Sequence, residues 1–449
     1  MEVTPIVVFN LLILAFFVVA FFYQIVYILV VFQRKHAPYR EAKTFHRYAV
    51  VICAHNEGLV IGELIDSINK QDYPKDKLDT FVFCDNCTDD TAQVARSLGA
   101  TVYERPAGGQ IGKSWVMDYG LRRLKEEHGD AYEGFFVFDA DNVLSPTYVR
   151  EMNNVFDEGI FAAVTSYRNS KNFDSSWISR GYATWFLRES KYLNNARMIL
   201  GTSCAISGTG YLMNARIIEK MDGWDFHLLT EDIQFSTFAA LNGLRIGYAH
   251  RAVFYDEQPV TFAASWKQRM RWTKGFYQVL VKYGSSMVHR LKSREAAPKR
   301  KNGRFAIYDM LMTLAPAMIL TLISASVNAI YLLIGLVFPS LISIYEKQVC
   351  LGSLFMTIAS FYVVFFILAV LTEITERKSI HATRWHLFTN LFTFPAFMLT
   401  YVPIALAAAV KKVSWVPTQH TISVSLDDIQ HEGADDATAG NDGERAGRD

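Results

Sequence analysis

An apolar run at residues 135–142 (FFVFDADN) ends in two aspartates, Asp139 and Asp141. Carboxylates two residues apart at the mouth of a strand supply hard oxygen ligands. Mg²⁺ or Mn²⁺ keeps several waters and needs only one or two such carboxylates, plus a substrate diphosphate, to complete its shell. A solvated loop accounts equally well for an isolated Asp-x-Asp, so its company decides. Ser207-Gly208-Thr209-Gly210 places small residues where a ligand can approach the backbone closely. Thr230-Glu231-Asp232 precedes the apolar stretch 233–241 and reads as a helix start. Backbone N–H groups there favour ionised acids, as does ordinary N-capping. In Gln268-Arg269-Met270-Arg271-Trp272, helical spacing puts Gln268, Arg271 and Trp272 on one face. An amide, a guanidinium and an indole so arranged can hold a diphosphate and stack a sugar ring; a basic amphipathic helix beside a membrane is the plainer alternative.

The elements that must position these groups alternate in type. Residues 48–54 (YAVVICA) read as a buried strand, broken by His55-Asn56-Glu57-Gly58. A helix over 60–70 and a strand over 81–84 follow, the latter ending in Asp85-Asn86-Cys87-Thr88-Asp89-Asp90. Thr88 or Asp89 can cap a helix over 91–98. A third strand at 101–104, a flexible loop at 108–113 ending in Lys113 and a helix over 114–127 lead to the fourth strand, the one that ends in the two aspartates. This alternation predicts an α/β fold, a doubly wound and mostly parallel sheet with its site at the carboxyl ends of the strands. Neither a GxGxxG nor a P-loop spacing is present. Acids at the strand ends suit a base and ribose, leaving the diphosphate to a metal. Cys84 and Cys87 form a CxxC with no second pair to complete a zinc site, and His55 reads as a turn residue.

Of 449 residues, 51% are hydrophobic, and the excess gathers in a few blocks; the net charge of +1 gives no basic face for nucleic acid. Residues 7–32 are long enough to cross a bilayer and are followed by Arg34, Lys35, Arg40 and Lys43. The positive-inside rule makes residues 1–33 a transmembrane anchor and the next domain, 46–280, cytosolic. A basic juxtamembrane segment spans 281–304, and transmembrane helices occupy 305–411 at the cell membrane. Within them, 306–338 spans once or twice, and 350–371 and 387–410 are further spans, the last interrupted by Pro395 and Pro403. Four crossings leave Lys411 and Lys412 outside, against that rule. Either 387–410 re-enters or 306–338 hides an extra pass. In the tail, 412–449, the composition predicts disorder from about residue 427.

Residues 46–280 resemble the membrane-bound family 2 glycosyltransferases, which include hyaluronan, cellulose, chitin and poly-N-acetylglucosamine synthases and ceramide glucosyltransferase. Four landmarks stand in the family's order: Asp85, the DxD of Asp139 and Asp141, the TED of Thr230, Glu231 and Asp232, and the QxxRW of Gln268, Arg271 and Trp272. The usual acidic pair after the second strand is Cys84-Asp85 here. The resemblance implies a GT-A-like fold and inverting transfer from a UDP-sugar to an acceptor hydroxyl. The product is then a β-linked polysaccharide made processively, or alternatively a glycolipid. A non-catalytic transporter with a nucleotide-binding domain is the reading outside the enzyme class. In the family's terms, Ala54, Asn56, Glu57, Asp85, Lys113 and Asp139 hold the nucleotide. Asp141, helped by Asp139, binds Mg²⁺ or Mn²⁺. Asp232 is the base, with Glu231 and Thr230 beside it, kept ionised by the helix N–H groups. Gln268, Arg271, Trp272 and Gly208 face the diphosphate and the acceptor, a growing glycan or a lipid at the bilayer.

Overall fold

The computed structural model describes residues 4–105, 108, 110–293, 298–314, 316–414 and 424–429. One sheet organises the catalytic region. Its strands are β1 (Tyr48–Ala54), β2 (Leu78–Asp85), β3 (Thr101–Arg105), β4 (Gly134–Asp139), β5 (Val143–Leu144), β6 (Ala163–Ser170), β7 (Tyr211–Asn214) and β8 (Ile246–Asp256), in the order 3-2-1-4-7-6-8-5. The expected parallel sheet is present as β3-β2-β1-β4, and β6 pairs parallel to β8. Antiparallel β7 joins the two halves, and two-residue β5 pairs antiparallel with β8. β1 is apolar throughout because β2 and β4 flank it and helices cover both faces. Chain order reverses between β1 and β4, which opens a crevice at their carboxyl ends.

Helix α1 (Pro5–Arg34) precedes the sheet, and α2 (Ile61–Asn69), α3 (Thr91–Ser97), α4 (Lys113–His128) and α5 (Tyr148–Phe156) alternate with the first strands. At the start of α3, Asp89 accepts from the Thr91 N–H (3.1 Å), although Asp90 holds the N-cap position. The aromatic stretch after β6 is α6 (Trp177–Arg188) and α7 (Asn195–Leu200), joined by a π turn, Glu189–Asn194. Such turns concentrate at functional sites. Next come α8 (Ala215–Lys220), α9 (Glu231–Leu241) and the 31-residue α10 (Phe262–Lys292).

The remaining helices are α11 (Gly303–Thr313), α12 (Pro316–Val337), α13 (Ile344–Thr375), α14 (Arg384–Leu399) and α15 (Tyr401–Val410). Four stretches are long and apolar enough to cross a membrane: α1, 317–337, α13 and the α14–α15 unit. Among the described residues, 306–338 holds one helix long and apolar enough to cross, 317–337. At 11 residues α11 reaches only about 16 Å, and its Ile307 and Met310 pack into a cluster with Ile233 and Val279. Asp309 of α11 forms a buried ion pair with Arg197 of α7 (2.7 and 3.0 Å) and accepts from the Tyr27 hydroxyl of α1 (2.8 Å). Removing one partner of such a pair costs about 3–5 kcal/mol, so this joint fixes the first membrane helix to the domain. Expected disorder from about residue 427 lies outside the described residues beyond Ile429. Residues 426–429 are helical, Ser425 caps them by accepting from the Asp428 N–H (3.2 Å) while Asp428 Oδ2 accepts from the Ser425 N–H (3.0 Å), and Ile429 is buried.

Candidate active site

Register places the crevice residues. β1, β2 and β4 end level, with Ala54 opposite Cys84 and Cys53 opposite Asp139. The chain then turns through left-handed conformations at Asn56 (φ 58°) and Asn86 (φ 54°), and the two loops bond to one another. Asn56 Oδ1 accepts from Thr88 N–H (2.7 Å), Thr91 Oγ1 from Glu57 N–H (2.8 Å) and Asp89 Oδ2 from Gly58 N–H (3.0 Å). His55 Nδ1 lies 2.6 Å from the Asp85 carbonyl, which can only accept, so that nitrogen carries the proton and His55 orients the turn. Asp85 is buried and ion-paired with Arg105 (3.0 Å). Cys87 Sγ accepts from Asn56 N–H (3.4 Å), and the Cys84 thiol beside it pulls the Cys87 pKa down to about 6.

Across the crevice, the Asp139 side chain is 43% exposed and pairs with Lys113, whose Nζ also donates to the Gly208 carbonyl (2.8 Å). Lys113 therefore sits on the DxD side rather than beside Asp85. Asp141 is buried, accepting from Asn142 Nδ2 (3.2 Å) and Glu257 N–H (3.3 Å). Thr209 locks the motif to the Ser-Gly-Thr-Gly loop: its Oγ1 accepts from Asp139 N–H (2.8 Å) and bonds Asn142 Oδ1 (2.5 Å). Among the described residues no three His, Cys, Asp or Glu side chains form a closed cation cage. Two aspartates, one of them half-open to solvent, fit an ion that draws its other ligands from water and a diphosphate.

Thr230 holds the N-cap position of α9 without a side-chain capping bond, and its Oγ1 is buried with no hydrogen-bond partner. Ordinary capping therefore does not account for the threonine. Gly208, at a positive φ of 77°, lies against Asp232: a Cβ on it would be 4.0 Å from Asp232 Oδ2. Burial raises the Asp232 pKa against nearby backbone N–H groups and Lys113, so the expectation that helix N–H groups decide its charge is corrected: desolvation wins. Burial, and then the Asp232 charge, raise Glu231 to about 7 against Lys113 and Arg271. α10 packs directly on this corner. A Cβ at Gly275 would lie 2.5 Å from Thr230. Trp272 stands edge-on to Tyr182 (5.7 Å) and Phe186 (6.2 Å) of α6, and Gln268 Oε1 is buried without a partner. The structure thus brings the DxD, Lys113, Gly208 and TED together, with Asp85 and the 54–57 turn at the neighbouring ends of β2 and β1.

Sequence reasoning missed Arg105 and also Arg168, whose Nη1 donates to the Ser207 carbonyl (3.0 Å). Thr209 was named within the Ser-Gly-Thr-Gly loop, but not as the group that holds Asp139. Arg105 and Arg168 sit in strands whose partners are remote in sequence, and no spacing marks them.

A family model described as glycosyltransferase-like family 2 matches residues 46–275. The β-monoglucosyldiacylglycerol synthase of Synechocystis is 25% identical over 244 residues, 53% of this chain and 50% of that one. The poly-β-1,6-N-acetyl-D-glucosamine synthase of Staphylococcus epidermidis is 23% identical over 256 residues, 56% of this chain and 60% of that one. The chain thus spans between 50% and 60% of the length of these curated relatives. In fold it is similar to a mannosyltransferase from Pyrobaculum calidifontis solved with GDP-Man and Mn²⁺ (TM-score 0.53, 16% identity, 89% of this chain and 99% of that one). With the match covering half of its length and the acids placed as described, the chain belongs to the glycosyltransferase-like family 2.

Proposed function

We propose that the protein is an inverting hexosyltransferase that moves a sugar from a UDP-sugar to an acceptor hydroxyl at the membrane face, building a β-linked polysaccharide processively. The observation that carries this reading is the position of Gly208: its carbonyl accepts from Lys113 Nζ (2.8 Å), which pairs with Asp139, and its Cα lies against the Asp232 carboxylate. That arrangement sets a carboxylate base where the donor's diphosphate end meets the DxD. Asp85 and the turn from Ala54 to Glu57 hold the base and ribose. Asp141 and Asp139 would hold Mg²⁺ or Mn²⁺, which supplies Lewis-acid neutralisation of the departing diphosphate. Lys113 contributes a fixed cation beside the leaving group. Asp232 takes the proton of the acceptor hydroxyl as that oxygen attacks the anomeric carbon, an effect worth about 10²–10⁴ in rate. Attack and departure on opposite faces invert the centre. Glu231 and Thr230 shape the recess around Asp232, while Gln268, Arg271 and Trp272 grip the diphosphate and the acceptor end.

A glycolipid product is the second reading, favoured by an apolar groove of about 490 Å³ between α10, α12 and α15, lined by Leu280, Val281, Leu322 and Ile323. Incubating the purified enzyme with a panel of labelled UDP-sugars and Mg²⁺ or Mn²⁺, then sizing the product, tests both. A ladder of lengthening glycans supports the synthase. One sugar on a lipid at every donor concentration overturns it in favour of the glycolipid, and no transfer from any UDP-sugar refutes both.

We further infer three crossings, with the catalytic domain and the C-terminal segment both in the cytosol. The α14–α15 unit is 39% buried, against 11% for each of the other candidate spans. It breaks at Thr400 and is bound along α10: Arg269 donates to the Phe397 carbonyl (3.1 Å) and Thr400 Oγ1 (2.7 Å), and Lys274 to the Ala408 carbonyl (3.0 Å). A helix pair held along the QxxRW helix returns Lys411 and Lys412 to the domain's side, as the positive-inside rule asks.

A further inference from the structure

Arg168 lies on β6, outside every motif used above, and its side chain is only 14% exposed. Its guanidinium has three partners on three elements. Nη1 donates to the Ser207 carbonyl (3.0 Å), Nη2 pairs with the Asp256 carboxylate at the end of β8, and the Phe186 ring of α6 stacks at 3.6 Å. The Arg168 backbone N–H is itself bonded to Ser190 Oγ of the π turn (3.2 Å).

Each polar partner leads to a different half of the active site. Ser207 adjoins Gly208, which lies against the Asp232 carboxylate and whose carbonyl holds Lys113. After it comes Thr209, which holds Asp139. Asp256 is fixed by Gln258 Nε2 (2.5 Å) and adjoins Glu257, whose N–H holds Asp141. A plain buried ion pair would gain little over packed apolar residues. A planar fork that spans a carbonyl and a carboxylate fixes a distance, which a point-charge ammonium does not.

We propose that Arg168 is a positioning residue for the transfer. Its fork sets the Ser207–Thr209 loop, and through Gly208 the base Asp232, in register with the carboxylates of the DxD. The assignment rests on Asp232 being the base. The groups facing Asp232 are Glu231 on its own helix, Lys113 from α4, Glu189 from the π turn and Tyr211 from β7, with Arg271 of α10 acting on Glu231. All of them are retained when Arg168 is replaced.

The test is Arg168→Lys in the full-length enzyme. Misplacing the base lowers kcat about 10–100-fold, while UDP affinity measured without a divalent cation stays within about threefold because Asp85 is remote from the fork. Loosening the Ser207–Thr209 loop speeds hydrogen exchange at the Asp139 amide, which donates to Thr209 Oγ1 (2.8 Å). Unchanged Asp139 exchange overturns the proposal, and so does a loss of metal-free UDP binding as large as the loss of kcat. Phe186→Leu removes the stack without changing charge, and it carries the same readouts if the lysine variant does not accumulate in the membrane. Assaying Asp232→Asn in parallel separates the two ideas. Normal turnover by that variant refutes the base assignment, whereas Asp139 exchange still decides whether Arg168 holds the loop.

Discussion

Replacing Asp232 by asparagine keeps its size but removes its capacity to take a proton, so turnover should fall roughly a hundredfold or more while UDP affinity changes only a few-fold. Asp85→Asn should do the reverse, weakening the nucleotide more than the chemical step. Calorimetric UDP binding beside donor turnover for both variants checks the division; Asp232→Asn failing only through lost UDP would remove the base role. Because burial raises both Asp232 and Glu231, the latter to about 7, the acid limb of kcat should lie above the usual aspartate range. Glu231→Gln takes away a like charge, eases ionisation of Asp232 and should move that limb to lower pH. A pH–rate profile of the two enzymes reads the sign. At this scale the sequence was informative where a reactive side chain ends an apolar run, as Asp139 and Asp85 do. It was silent on Arg168 and Arg105, whose carboxylate partners lie 88 and 20 residues away. It also misjudged what sets the Asp232 charge, because desolvation is a property of the folded recess.

Helices α9 and α10 meet where a side chain is missing. With no Cβ, Gly275 lets α10 touch Thr230, and an added methyl would lie 2.5 Å from it. Gly275→Ala should therefore shift the start of α9 and reduce turnover by about tenfold or more, since sub-ångström placement of a base is costly to lose. UDP binding at Asp85 should be unaffected, and thermal melting with and without UDP would show whether the fold is intact. The strand–helix alternation up to β4 was legible because each element has a single period and a turn that stops it. Residues 211–213 also read as a strand, but the antiparallel pairing of β7 and the two-residue β5 were not legible, since they are set by partners that no local pattern names. The π turn within the 177–200 stretch was equally hidden, as its composition is that of an ordinary helix.

For the whole chain, hydropathy marked the apolar blocks but not which of them crosses. Three candidate spans show the bilayer mostly apolar surface, whereas α14–α15 spends much of its own surface on α6 and α10. Only the fold distinguishes these cases. If the unit returns to the cytosolic side, Lys412→Cys should react with a membrane-impermeant maleimide in inside-out vesicles and not in intact cells, with the labelled position located by mass spectrometry. Labelling from outside would restore a fourth crossing.

The packing of that unit has a mechanical consequence. A Cβ at Gly181 of α6 would lie 2.5 Å from the Phe397 ring of α14. Phe397 in turn accepts from Arg269 of α10, whose Gly275 bears on Thr230. Force therefore passes from the apolar helices to Thr230 at the start of α9 through close contacts with almost no slack, and densely packed interiors transmit strain rather than absorb it. Membrane helices adjust to a change in hydrocarbon thickness by tilting, and tilt at α13 or α14 would be felt at α9. Turnover of the reconstituted enzyme should accordingly vary several-fold with the acyl length of the surrounding lipid while its affinity for UDP does not, so the bilayer would act on the rate as a solvent of adjustable thickness.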